Sequence, residues 1–269
     1  TETAFAATER LLQHAAICIS ALLGGDVVDA AIASFGIRLV ALALLYSIVR
    51  RKIDWLPIGF TKARLECLSK LFGPSLSYML VPISNAILIQ GPIVILGSVA
   101  GPSIVAIFSV TRTVTRIGMS GANMLNYAFT PEYSFAFGER DFISFRKNLR
   151  IHGTLLGLGM ILYVLSMLTM SDWAINRLSH GDFISQRLFT IIMTVSVVFE
   201  MMWTALFAPL AAINYHKISS LLLAVEAVGG LAIFSFHAEL YFFGIVLVFV
   251  HLILFLLNLA LFVFFVKKV

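Results

Sequence analysis

Charge is what this chain has least of. Only 12% of its 269 residues are Asp, Glu, Lys or Arg, against 60% hydrophobic ones, too few to clothe a folded domain in water. A soluble domain is thereby excluded. The two cysteines, Cys18 in an apolar run and Cys67 in a basic one, are too few for a disulfide framework and lack metal-ligand spacing, so no metal site is expected. The patterns H-E-x-x-H, G-x-S-x-G and the phosphate-binding P-loop are missing, as is a loop cluster of acids suited to glycosyl or phosphoryl transfer. Neither an enzyme nor a cofactor is indicated. The excess of positive charge, +5 overall with a pI near 9.4, falls mostly between apolar runs and reads as membrane topology, not nucleic-acid binding. The chain opens on Thr1 and shows no short apolar run followed by a small-residue cleavage site, which predicts no signal peptide and a chain lacking its N-terminal part.

What the chain does have is a succession of apolar runs. A membrane span needs about 20 such residues, which allows roughly eight spans in this length. They fall at about 5–24, 30–49, 74–97, 103–129, 151–170, 188–213, 217–236 and 240–266. This predicts an all-α integral membrane protein. The connectors alternate: "RRKIDWLPIGFTKARLECLSK" (50–70) carries six Lys or Arg against two acids and "GERDFISFRKNLR" (138–150) four against two, whereas "GGDVVD" (24–29) is acidic. Fourteen basic residues thus fall on one side of the membrane and two, Arg177 and Arg187, on the other, so both termini are expected to be cytoplasmic. The 50–70 segment is amphipathic, with Trp55 and Phe60 near its start, and is expected to lie along the cytoplasmic surface.

Three arginines remain inside the spans. Arg112 and Arg116 belong to a stripe, Ser109, Arg112, Arg116, Ser120, Asn123 and Tyr127, whose spacings of three and four put it on one face of a helix. Arg38 sits mid-span in "SFGIRLVAL". An arginine at the bilayer centre costs at least about 2.5–3.5 kcal/mol and faces a bundle interior or a wet cavity. Two acids, Glu200 and Glu226, lie deep in other spans, with Gln90, His251 and Asn258 adding neutral or titratable groups. Two readings stay open. The charges pair as interhelical salt bridges, or the arginines line a cationic cavity for a phosphate, which the planar guanidinium grips bidentately at any pH. For Glu200 and Glu226 the alternative to pairing is a proton- or cation-coupling role, and His251 is expected to bond a neighbouring helix. Pro82, Gly91-Pro92 and Pro209 interrupt apolar runs; Gly91-Pro92 beside Gln90 is the candidate hinge.

The segment 88–141, "LIQGPIVILGSVAGPSIVAIFSVTRTVTRIGMSGANMLNYAFTPEYSFAFGERD", resembles the polysaccharide-biosynthesis, or O-antigen type, oligosaccharide flippases of the multidrug/oligosaccharidyl-lipid/polysaccharide (MOP) exporter superfamily. The matching features are Gln90-Gly91, the glycines Gly97 and Gly101, the stretch from Phe108 to Arg112-Thr113, Pro131-Glu132, and Gly138 with Asp141 before a basic loop. The resemblance implies two six-helix lobes around a positively charged cavity. On that pattern residues 1–49 are the last hairpin of the N-terminal lobe, 50–72 a basic cytoplasmic connector, and 73–269 the six-helix C-terminal lobe, with four earlier spans absent. It implies rocking of the lobes to carry an undecaprenyl-pyrophosphate-linked oligosaccharide across a bacterial inner membrane, with Arg38, Arg112, Arg116, Gln90 and Asn123 as cavity candidates. Partners would be that substrate, membrane lipids, and as further candidates a polysaccharide polymerase and chain-length regulators. The competing functions are a cation-coupled multidrug exporter of the same superfamily using Glu200 and Glu226, a non-transporting assembly partner, and a membrane glycosyltransferase or polymerase, for which the loops are short.

Overall fold

The computed structural model describes residues 2–52, 64–183, 185–237 and 239–266. Among these, helices and the turns between them are the only regular structure. Six helices are long and apolar enough to cross a membrane, and large aliphatic and aromatic side chains lie exposed along them. In water such a surface would drive aggregation; against lipid tails it costs nothing. The chain is a multi-pass membrane protein. The sequence-expected connector residues Trp55 and Phe60, and the basic Lys267 and Lys268, lie outside the described residues.

The chain divides into two compact units, Thr1–Leu68 and Ser69–Val269, so the division falls inside the expected 50–72 connector. The first unit holds α1 (Glu2–Leu22) and α2 (Val27–Lys52), packed on each other. A tight turn joins them, with Gly24 at a φ of 77° that favours glycine. The acids that follow form a reciprocal cap. Asp26 Oδ1 accepts from the N–H groups of Val28 and Asp29 at 2.8 and 2.9 Å, and Asp29 Oδ2 accepts from the Asp26 N–H at 3.1 Å. At the other end of α2, Arg50, Arg51 and Lys52 sit where the helix dipole favours cations.

The next helix, α3 (Leu65–Val99), begins earlier than the expected span at 74, so the last part of the amphipathic connector, 65–72, is helical and continuous with that span. It continues through Pro74, Pro82 and Pro92. The second unit is completed by α4 (Pro102–Thr115), α5 (Ile117–Gly138), α6 (Phe142–Leu178), α7 (Arg187–Ala212), α8 (Lys217–Phe236) and α9 (Leu240–Val266). At its centre is α7, in contact with α4, α5, α6 and α9. The main core gathers Trp203, Phe108, Phe189, Phe234, Phe243 and Leu254, all but fully buried.

Two expectations are corrected here. The basic stretch 138–150 is not a loop: after a turn at Arg140, α6 starts at Phe142, because Asp141 Oδ1 caps it by accepting the Ser144 N–H at 3.0 Å. Hydrogen bonds from Ser144 hold the Asp141 carboxyl below the usual carboxylate range. The expected single span 103–129 is two helices, broken at Arg116.

Candidate functional site

The break at Arg116 has local causes. Thr113 and Thr115 turn their hydroxyls back onto the carbonyls of Ser109 and Thr111, at 2.8 and 3.0 Å, a pattern that bends helices. Gly118 follows. A Cβ there would lie 2.5 Å from Met201 Cε and 2.6 Å from Tyr163 Cδ2, so only glycine lets the start of α5 run this close to α6 and α7. Past the break the ladder shifts register, with the Met119 N–H donating to the Arg116 carbonyl at 3.0 Å. The Thr115 carbonyl accepts instead from the Tyr163 hydroxyl at 2.8 Å. The broken turn therefore leaves no orphan at that carbonyl.

The break aims Arg116 at α7. Its guanidinium grips Glu200 in a two-pronged pair, Nη1 to Oε2 and Nη2 to Oε1, both at 2.9 Å, the strongest geometry available to this pair. Glu200 is only 3% exposed. Behind it the Trp203 indole N–H donates to His251 Nδ1 at 3.2 Å, so a neutral imidazole carries its proton on Nε2, which faces Glu200 Oε2 at 3.8 Å. Arg116, Glu200, His251 and Trp203 form one chain across α4/α5, α7 and α9, half-buried at Arg116 and buried at its last three members. Its formal charge is zero.

Arg112 behaves differently. Half-buried on α4, it donates from Nη1 to the Ile89 carbonyl of α3 at 2.6 Å and stacks its guanidinium 5.5 Å from the centre of the Phe108 ring. The Ile89 carbonyl lies one turn before Pro92 on the same helix. Among the described residues no carboxylate pairs with Arg112. A cavity of about 20 Å³ lies between the two arginines, lined also by Asn85, Ser196, Glu200 and His251. That is room for about one water, not for a phosphate.

Of the residues singled out in the sequence, the structure brings together Arg112, Arg116, Glu200 and His251. It does not bring Gln90, Asn123 or Glu226 to that cavity. Gln90 is exposed on α3 and Asn123 half-buried on α5. Glu226 is half-buried on α8, with Oε2 buried and without a hydrogen-bond partner. Arg38 belongs to the first unit and is exposed on α2. The one-face stripe from Ser109 to Tyr127 is interrupted at Arg116, because the helix is. Gly91, beside Pro92, marks a close approach: a Cβ there would lie 2.6 Å from Leu231 of α8. Sequence reasoning passed over Tyr163 and Trp203, the two donors that complete the network; a tyrosine and a tryptophan in apolar runs were the available signal. Comparison with family models, with curated proteins and with solved structures finds no match.

Proposed function

We propose that this chain is the C-terminal lobe, with the last N-terminal hairpin, of an oligosaccharide flippase of the MOP type. It moves an undecaprenyl-pyrophosphate-linked oligosaccharide across a bacterial inner membrane and is not an enzyme. The observation that carries this reading is Arg112. It is a half-buried cation that pairs with no carboxylate among the described residues, beside a second arginine that Glu200 already neutralises. One positive charge is thus left to meet an anionic headgroup. Eight spans follow if α1, about 31 Å long at 1.5 Å per residue, and the broken pair α4–α5 each cross with the six long apolar helices. The basic run closing α2 and the basic start of α6 then lie with both termini on the cytoplasmic side. Arg38, exposed on α2, would meet further spans of the N-terminal lobe or the substrate. The polymerase and chain-length regulators of the pathway remain candidate partners.

The multidrug-exporter reading needs a free acid in the cavity; Glu200 is already gripped by Arg116, and Glu226, although its Oε2 has no partner, does not line that cavity. The assembly-partner reading draws support from that same closed pair. Complementation of a flippase-deficient strain with the complete gene separates them. With equal membrane insertion, Arg112→Lys is expected to retain part of surface-glycan export and Arg112→Gln to lose it. Full export by Arg112→Gln would refute the reading of Arg112 as the substrate-facing charge.

A further inference from the structure

One groove of the second unit combines features the network above does not use. It has a volume of about 370 Å³ and runs between the first half of α6 and the last turns of α7 and α9, within the range of built ligand sites. Its walls are apolar, with Leu156, Leu206, Pro209 and Phe255 among them. Gly153 borders open space in the groove wall: a Cβ there would meet nothing within 4 Å. Arg150 stands at its mouth, and Arg146 precedes it by one turn on the same face of α6 with Lys147 alongside. All three cations are exposed, and among the described residues none of their side chains has a hydrogen bond or an ion pair.

His152 supplies the second observation. It is 2% exposed and lines the groove, its ring stacked on Phe129 at 4.9 Å. The Tyr133 hydroxyl and His152 Nδ1 lie 2.8 Å apart. With the hydroxyl donating, Nε2 carries the proton, and Nε2 is buried with no partner. A buried wall nitrogen without a partner, an apolar trough and a cluster of unpaired cations at one end match the three parts of one molecule.

We propose that this groove binds an anionic phospholipid, its phosphate on Arg146 and Arg150, its glycerol-ester region toward His152, and one acyl chain along Gly153 and Leu156. Basic clusters at the membrane interface attract such headgroups, each Lys or Arg contributing about fivefold in affinity, and the trough adds the chain contact that a free anion cannot use. A second copy of the chain or a basic partner would be repelled by the same charges.

The test uses the whole protein in neutral detergent, with thermal unfolding and native mass spectrometry read against added phosphatidylglycerol, phosphatidylcholine or inorganic phosphate. Phosphatidylglycerol is expected to raise the midpoint and leave bound copies, phosphatidylcholine and phosphate to do neither. The double variant R146Q/R150Q, at exposed positions, should bind phosphatidylglycerol at least about tenfold more weakly. Gly153→Phe should block the trough and lose the bound lipid while the cations remain. Equal binding of both lipids, stabilisation by phosphate alone, or undiminished phosphatidylglycerol binding by either variant would overturn the proposal.

Discussion

Helices α2 and α7 are each 26 residues long and both strongly apolar, and each carries one charge inside its span, Arg38 and Glu200. Yet only 6% of the most apolar stretch of α2 is buried, against 44% in α7. Hydropathy makes both of them membrane helices; it does not decide which one is packed. That is decided by partners: α7 touches four helices and its charge is matched by Arg116, whereas Arg38 stays exposed and without an ion pair among the described residues. Buried charge is tolerated in lipid where it is neutralised on arrival.

The largest effect is expected at Glu200. Glu200→Gln strands the Arg116 guanidinium and is expected to destabilise the second unit by about 3–5 kcal/mol, read as a lowered unfolding midpoint in detergent. Next is Tyr163→Phe, which removes the donor to the Thr115 carbonyl at the helix break and is expected to cost about 1–3 kcal/mol by the same measurement. The smallest effect belongs to the other helix. Arg38→Gln should change stability by less than about 0.5 kcal/mol by the same measurement, while it remains free to change export in the complementation assay, since Arg38 is exposed.

Much of the fold was legible because the membrane makes hydropathy a length rule. The expected spans 217–236 and 240–266 coincide with α8 and α9, and 188–213 lies within one residue of α7. What was not legible depended on residues far apart in the chain. Arg116 meets Glu200 across 84 positions and Tyr163 reaches Thr115 across 48, so a count of three arginines and two acids could not say which would pair. The break at Arg116 had a readable trace in Thr111, Thr113, Thr115 and Gly118, but the regular three-and-four spacing of the polar stripe argued for a continuous helix and masked it. The basic run 138–150 read as a loop on charge alone, although Asp141 three residues before Ser144 is a cap signal. The acids of "GGDVVD" read as topology and turn out to cap α2.

The central claim is a division of labour between two neighbouring arginines: Arg116 belongs to the scaffold and Arg112 is left available. Double-mutant cycles on thermal stability test it most directly, one pairing Arg116→Gln with Glu200→Gln and the other Arg112→Gln with Glu200→Gln. Strong coupling is expected in the first cycle, the double variant being more stable than the sum of the single losses, and near-additivity in the second. Equal coupling in both cycles would contradict it.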